Sequence, residues 1–475
     1  MHGTKQKAKP SQPAIGEEEV GGGGVQAAWR IAKISDFAKT TSGGTPSRAN
    51  PEFYTGNIPW IKSGDLNDGK VSEATEFITE EALKSSSAKL FPAGTLLIAL
   101  YGATIGKLGI LTIDAATNQA VCGIFVPEGV ETKYLFYFLL KHRRELIKQG
   151  AGGAQPNISQ GIVRDVEVPI PPLPEQRRIV ARIEELFSRL DAGVAALRHA
   201  KAQLQRYRQS VLAAAVTGQL TQAWRERHPD FESAEELLKR ILKQRREQWN
   251  GKGKYRDALE PDNPSELPEI PANWIWTTLD SLCISKVGNA FKSAQFKDAG
   301  VRLLRGENIE PGALRWSNTR YWPESNIAEF QDLLVDQGDV IIAMDRPLIS
   351  SGLKVAVAKK EDTPCLLVQR VTRLRPIDPI TSTFIFTNIN TKRFVDQLIG
   401  NQTGTQIPHI TEKGIRCFAI PLPPLPEQHH IVAEVEARTT AIAHLEAELD
   451  RQISRASRLR QAILANAFSG EGAFV

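Results

Sequence analysis

Pro169-Ile-Pro-Pro-Leu-Pro-Glu-Gln-Arg-Arg-Ile-Val-Ala181 and Pro421-Leu-Pro-Pro-Leu-Pro-Glu-Gln-His-His-Ile-Val-Ala433 are two copies of one element. They align at a constant offset of 252, and the match runs on to a closing glycine, Thr217-Gly218 against Ser469-Gly470. An internal repeat of this length sets the architecture before any single residue is weighed.

Each copy reads as a strand end, a proline brake and a helix. Val166-Glu-Val168 and Phe418-Ala-Ile420 have the apolar character of strands. Four prolines within six residues then force an extended path, because proline lacks an N–H and restricts its predecessor. Pro174 and Pro426 suit a first helical position, and the glutamate that follows suits the positive helix end. Beyond the first brake the apolar positions are Ile179, Ile183, Phe187, Leu190, Val194, Leu197, Leu204 and Val211. Beyond the second they are Ile431, Val435, Ile442, Leu449, Ile453, Ala456, Leu459 and Ile463. Spacings of three, four and seven put a narrow seam on one side of each helix. No proline interrupts either pattern for about 40 residues, which gives a helix on the order of 60 Å long. A seam that narrow needs another helix, and the simplest solution pairs the two with each other. The alternative is that each packs on its own globular half.

At 475 residues the chain exceeds one ordinary core and calls for several domains. With 41% hydrophobic and 24% charged residues it has a globular composition. No apolar run reaches the roughly 18 residues of a membrane span. The N-terminus lacks an apolar signal core, and residues 1–25 are expected to be a disordered arm. The four cysteines, Cys122, Cys283, Cys365 and Cys417, are scattered without a Cys-x-x-Cys pair, which argues against zinc and a disulfide framework and fits a reducing cytoplasm. A net charge of +5 permits a nucleic-acid partner without establishing one.

Residues 26–168 and about 265–420 are rich in short strand-like runs, glycine and polar loops, and they are weakly alike. Gly94-Thr-Leu-Leu-Ile-Ala-Leu aligns with Gly338-Asp-Val-Ile-Ile-Ala-Met, and Ile61-Lys-Ser-Gly-Asp-Leu with Leu303-Leu-Arg-Gly-Glu-Asn. Gly153-Ala-Gln-Pro-Asn-Ile-Ser resembles Gly404-Thr-Gln-Ile-Pro-His-Ile-Thr. The globules have diverged while brake and helix have not, as expected if the globules read different targets and the helices meet similar partners. Between the halves, Phe231 to Trp249 forms a basic amphipathic helix, either a solvated face or a contact for phosphate or a partner. Gly251-Lys-Gly-Lys and a Pro/Asp/Glu-rich linker follow.

Catalytic motifs fail on inspection. Tyr101-Gly-Ala-Thr-Ile-Gly-Lys-Leu has three residues between its glycines where a P-loop needs four, and Leu108 replaces the Ser/Thr that holds magnesium. Asp262-Asn-Pro-Ser lacks the second proline and the aromatic ring of an amino-methyltransferase. His429 and His430 are helix neighbours that face different ways, so they are not a metal pair. Asp230 has no nuclease-like strand context, and there is no Gly-x-Ser-x-Gly. No catalytic residue and no metal site is expected.

Two globules, each closing on Pro-Leu-Pro-Pro-Leu-Pro-Glu-Gln-type sequence and a long helix, resemble the specificity subunit of a type I restriction–modification enzyme over essentially all of 26–475. In the first globule Ser42-Gly-Gly-Thr-Pro-Ser, Gly56-Asn-Ile-Pro-Trp-Ile-Lys-Ser-Gly-Asp-Leu, Tyr101-Gly-Ala-Thr-Ile-Gly-Lys, Asn118-Gln119 and Gln155-Pro-Asn-Ile-Ser carry the resemblance. The second globule departs from it, with Gly288-Asn-Ala-Phe-Lys-Ser, Asp345-Arg346 and Val368-Gln369 at the corresponding places. The resemblance implies an α+β fold in which two mixed α/β target-recognition domains alternate with two long helices. The helices pair as an antiparallel coiled coil with pseudo-two-fold symmetry. The expected divisions are an arm at 1–25, domains at 26–174 and 271–425, spacer helices at 175–220 and 426–470, and a basic helix with linker at 221–270.

It also implies a non-catalytic DNA-binding subunit of double-stranded DNA. Each globule reads one half of a split, asymmetric target. The helices fix the unread spacer and dock two methyltransferase subunits, and motor-nuclease subunits join. S-adenosylmethionine, ATP and magnesium then belong to those partners, with no cofactor in this chain.

Base reading needs Arg, Lys, Asn, Gln and Ser/Thr on loops that reach the major groove. The candidates in the first globule are Thr45, Ser47, Arg48, Lys62, Ser63, Tyr101, Thr104, Lys107, Asn118, Gln119, Gln155 and Asn157. In the second they are Asn289, Lys292, Ser293, Arg305, Asn308, Arg346, Gln369, Arg370, Gln406 and His409. Each competes with a turn-stabilising or solvated role. Gly43, Gly44 and Pro46 are read as loop-shaping and Trp60 as core. Two other functions compete. A fused restriction-methylation enzyme would need methyltransferase or nuclease motifs, and the sequence shows neither. A two-globule protein scaffold would be favoured if the chain with its methyltransferase partner bound no duplex.

Overall fold

The computed structural model describes residues 29–150, 157–229, 231–249, 254–261, 264–398 and 409–469. The expected arm at 1–25 and Gly470 lie outside them. The chain divides into two compact units. One runs to Val194 and takes in Ile453 onward; the other is Ala195–Gln452.

The two units solve the same packing problem in the same way. In the first, Leu96–Ala99 lies inside a five-stranded sheet between Val121–Phe125 and Leu108–Leu111. All four of its residues are buried. Alternate side chains of a strand point to opposite faces, so Leu96 and Ile98 join one core with Tyr134, Leu135 and Leu139 of the helix Thr132–Gln149. Leu97 and Ala99 join another core with Ile61, Phe91 and Val121. In the second unit Val340–Ala343 does likewise. Val340 and Ile342 pack with Phe384 and Ile385, while Ile341 and Ala343 pack with Leu303 and Leu366. A continuous apolar run is what a strand covered on both faces requires. The alignment of Gly94 with Gly338 is met in the fold, because both open these strands with positive φ, +88° and +91°.

Each unit also holds a second sheet with a parallel pair at its centre, Ile58–Ile61 beside Ala115–Thr117 and Val301–Leu304 beside Cys365–Leu367. Each domain closes on itself: Arg30–Lys33 pairs antiparallel with Glu167–Ile170, and Ile275–Thr278 with Ala419–Leu422. The strand that ends in the proline brake is therefore tied to the strand that began the domain.

The brake leads into helices Leu173–Val216 and Leu425–Ala467, of 44 and 43 residues. They start one residue before Pro174 and Pro426, so the prolines stand second rather than first. The repeated glutamine has a defined task in both copies. Gln176 is fully buried and its amide donates to the Pro171 carbonyl at 2.8 Å; Gln428 does the same to the Pro423 carbonyl at 2.8 Å. A proline run cannot supply donors for its own carbonyls, and the side chain five residues on does so.

Within each unit the helices run antiparallel. In the second unit Lys201 meets Asp450 at 2.6 Å and Arg208 meets Glu446 at 2.8 Å, so one number rises as the other falls. In the first, Arg460 reaches Asp191 at 3.0 Å and covers the Phe187 ring. The alternative of packing on the globules also holds at the helix ends. Ile179 and Ile183 of the first helix and Ile463 and Leu464 of the second belong to the first unit's core. Phe468 meets Tyr134 and Phe138 edge-on at 5.1 and 5.4 Å. Leu459, expected in the seam, is 50% exposed, because a straight helix drifts off a seven-residue repeat.

The basic helix forms at Ala234–Glu247 with a Ser233/Glu236 capping box. Leu237 and Ile241 are fully buried in the second unit's core, so this is a packed element with a charged outer face. Arg245 is consumed inward: it and Arg416 both bind Asp280, which is 3% exposed. Among the described residues no helix is long and apolar enough to cross a membrane, and no group of His, Cys, Asp or Glu could hold a metal ion.

Candidate nucleic-acid interface

In the first unit several strand ends converge on the short turn 118–120, closed by the Val121 N–H donating to the Asn118 carbonyl at 3.1 Å. Backbone bonds fasten the surrounding loops to it. The Asn118 N–H donates to the Ile61 carbonyl at 3.0 Å, which brings in Lys62 and Ser63. The Leu100 N–H donates to the Ala120 carbonyl at 2.8 Å, which brings in Tyr101, and the Ile158 N–H donates to the Leu100 carbonyl at 2.8 Å, which brings in Asn157. The Gly43 and Gly44 N–H groups donate to the carbonyls of Val121 and Thr117 at 3.1 and 2.9 Å, which anchors the loop carrying Thr45 and Ser47.

The second unit repeats every fastening around 368–370. Val368 N–H bonds to the Leu304 carbonyl, Met344 N–H to Arg370, Ile410 N–H to Met344, Gly288 N–H to Val371 and Asn289 N–H to Leu367, at 3.1, 2.9, 2.8, 2.9 and 3.2 Å. The correspondence of Gly288 with Gly43, of Asp345-Arg346 with Tyr101-Gly102 and of Val368-Gln369 with Asn118-Gln119 therefore holds in three dimensions. The alignment of Ile61 with Leu303 does not. Strands Ile58–Ile61 and Val301–Leu304 end together, so Lys62 corresponds to Arg305. Both open a turn in which their own N–H meets a side-chain oxygen three residues on, Asp65 at 2.8 Å and Asn308 at 3.1 Å. Glycine is needed at the first anchor, since a Cβ on Gly43 would lie 2.1 Å from the Thr117 carbonyl oxygen and one on Gly288 2.2 Å from that of Val368.

On this common scaffold the side chains differ. In the first unit Gln119 is exposed and its oxygen accepts from the half-buried Thr45 hydroxyl. Ser47 and Asn157 are exposed. Lys62 and Arg48 both bind Glu76, at 2.7 Å each, and the Arg48 guanidinium lies 4.1 Å above the Tyr54 ring. The Lys62 hydrogen bond, then Arg48, outweighs burial and holds the Glu76 carboxyl below its usual range. Lys107 stands 3.7 Å from Asp68, which also receives Arg143 at 3.1 Å, and Thr104 is half-buried in the 101–106 turn. The side-chain oxygen of Asn118 is buried without a hydrogen-bond partner among the described residues. Trp60 is core, 2% exposed, with its indole N–H on the Gly44 carbonyl at 3.1 Å.

In the second unit Asn289, Lys292, Ser293, Arg346, Gln369 and Arg370 are exposed. Asp345 ties two candidates together, binding Arg370 through one oxygen and His409 through the other at 2.5 Å. Burial would push its carboxyl up, but the bonds from His409 and Arg370 prevail and leave it below the usual range. Arg305 is spent on Glu307 and the Asn318 carbonyl. Asn308 is 2% exposed, and its amide donates to the Arg315 carbonyl at 2.9 Å while its oxygen holds the Arg305 N–H. Those bonds shape the turn from an enclosed position. Gln155 and Gln406 lie outside the described residues. Asp345, Glu76 and Asp68, which hold the basic side chains in place, were missed in the sequence. Their only signal was an acid lying far along the chain from the cation it binds.

Paired globules of this topology, each ending in a brake and a long helix, define a class of DNA specificity protein. A family model described as the type I restriction modification DNA specificity domain matches residues 27–197 and again 271–455, so the chain belongs to that family. It is a specificity subunit with two DNA-recognition domains. It is 32% identical to the type I restriction enzyme EcoAI specificity subunit of Escherichia coli, over 54% of this chain and 43% of that one. It is 28% identical to the EcoDI specificity subunit of Escherichia coli, over 93% and 88%. With the MjaVIII specificity subunit of Methanocaldococcus jannaschii the identity is 24%, over 84% and 83%. Among solved structures the fold is shared with a chain from work on complex assembly and conformational transition of the type I R-M system (TM-score 0.68, 19% identity, covering 94% of this chain and 98% of that one). It is shared also with the HsdS subunit from Thermoanaerobacter tengcongensis (TM-score 0.51, 20% identity, covering 94% and 97%).

Proposed function

We propose that each unit's turn-centred face reads one half of a bipartite, asymmetric duplex target, and that the paired helices set the unread spacer. The observation that carries this reading is the matched set of backbone fastenings holding unmatched side chains. Thr45, Asn118 and Ala120 occupy positions where the second unit has Ala290, Val368 and Arg370, while Gln119 and Gln369 agree. An invariant frame with variable donors and acceptors is what two readers of different sequences need, because each base pair shows its own major-groove pattern. Exposed Arg346, Arg370 and Lys292 suit guanine edges and phosphate, and Gln119, Gln369 and Asn157 suit adenine.

The chain itself is non-catalytic in this reading and works in the cytoplasm. Its helices dock two methyltransferase subunits, and motor-nuclease subunits complete the restriction enzyme. S-adenosylmethionine, ATP and magnesium are bound by those partners. The test is to combine the chain with its methyltransferase partner and map methylation on a genomic library. A two-part motif with a fixed gap is expected, with binding that weakens steeply with salt. A continuous motif, or no duplex binding, would overturn the reading and favour a protein scaffold.

A further inference from the structure

The second unit carries a feature that the shared frame does not require. In the first unit the chain leaves Leu96–Ala99 and returns through the tight 101–106 turn, with the Gly106 N–H on the Ala99 carbonyl at 2.8 Å. At the same place in the second unit it runs out through a two-stranded hairpin, Leu348–Ile349 against Gly352–Leu353. Leu348 is 46% exposed and Ile349 40%, and among the described residues they are the only large exposed apolar residues adjacent in sequence.

The foot of this hairpin is part of the candidate interface. The Lys354 N–H closes it on the Pro347 carbonyl at 2.7 Å, and the Lys354 ammonium binds the Gly306 carbonyl in the neighbouring turn. Met344 and Asp345, just before it, are bonded to Arg370 and His409. Arg346 is exposed in a left-handed conformation, φ +44°, that Gly102 supplies in the other unit with φ +87°. No carboxylate among the described residues pairs with Arg346. Burial, and then the Arg346 charge, hold the Lys354 ammonium below its ordinary value despite Glu307. Two neighbouring cations beside an exposed aliphatic pair suit a polyanion that also offers an apolar group. The major-groove edge of DNA offers one, the C5 methyl of thymine.

We propose that the hairpin is a specificity element of the second globule, with Leu348 and Ile349 packing on a thymine methyl while Arg346 takes the adjoining phosphate. The inference rests on the second globule being a DNA reader. Insertion between base steps from the minor groove is the competing use of such side chains. The adjacent Gln369 and Arg370 favour the major groove.

The test uses the chain with its methyltransferase partner and the mapped target. Each thymine in the half read by the second globule is replaced in turn by uracil, which removes only the methyl. At one position binding should weaken about four-fold, the worth of one buried methyl at ~0.8 kcal/mol. The Leu348→Ser, Ile349→Ser double variant, whose side chains offer no methyl to pack on the base, should bind thymine and uracil duplexes equally. A half-site without thymine, equal binding of every uracil duplex by the unaltered chain, or a uracil deficit that survives in the double variant would each overturn the proposal. Gln369→Ala separates the two levels. If it alters specificity while uracil is silent, only the hairpin assignment fails. If it too leaves the second half-site unchanged, the reading of this face fails with it.

Discussion

Glu427 and Glu175 occupy the same place in the two copies and live in different surroundings. Glu427 is 1% exposed and accepts from Arg225 at 2.6 Å, Thr221 at 2.7 Å and the Trp274 indole at 2.8 Å. Glu175 keeps a partly exposed side chain, 4.0 Å from Arg178. Removing one member of a buried ion pair strands the other. Glu427→Gln should therefore lower stability by about 2–3 kcal/mol, less than the full cost of a wholly buried pair because Arg225 keeps some solvent. Glu175→Gln should cost under ~1 kcal/mol. Urea unfolding of the two variants checks both values. Asp345 gives a pH prediction at the same scale. Its carboxyl is more acidic in the folded chain than in the unfolded one, so its contribution is present above the unfolded value of about 4. That contribution drains away as the pH falls through the lower folded value. The Arg370–Asp345–His409 cluster should thus persist at neutral pH, and a carboxyl titration followed by NMR should place Asp345 below free aspartate.

At the scale of elements, the ends and middles of the long helices are held differently. The pairs Lys201–Asp450 and Arg208–Glu446 are solvent-accessible and each is worth no more than about 1 kcal/mol. The ends are anchored by buried apolar side chains. Phe468 is 6% exposed against Tyr134 and Phe138, and Phe468→Ala should cost about 3 kcal/mol, read as a lower denaturation midpoint for the first unit. The weakly held middle can change length without disturbing a core. Deleting seven residues at matched positions in both helices removes about 10 Å, or roughly three base pairs of duplex at 3.4 Å each. Methylation mapping of that variant should show a gap shortened by about three base pairs. An unchanged gap would separate the helices from spacing.

At the scale of the whole molecule, each domain is closed by its own first and last strands, while the first domain's core also takes Ile179, Ile183 and Phe468 from the long helices. Arg30–Lys33 pairs with Glu167–Ile170 within one domain, and Ile275–Thr278 with Ala419–Leu422 within the other. Replacing residues 26–168 with the corresponding globule of a relative should change one half of the methylated motif and leave the other half and the gap as they were. A change in both halves would end the two-reader model.

The repeat, the brake and the uninterrupted seams were legible in the sequence because they are local. Proline restricts its own neighbourhood, and helical periodicity is written at three- and four-residue spacing. The buried strands showed as continuous apolar runs for the same reason. Gly43 and Gly288 correspond in the sequence, but only the structure shows that a carbonyl 2.1–2.2 Å from any Cβ demands them. The tertiary structure alone decided which polar residues are available. Asn308 and Lys62 look alike as candidates in the sequence, yet one is enclosed in its own turn and the other is held by Glu76, fourteen residues along the chain. The proline–glutamine element likewise read as a junction, and the fold gave its glutamine a bond to make. Which atoms remain free after folding depends on partners distant in the chain, and no local pattern records them.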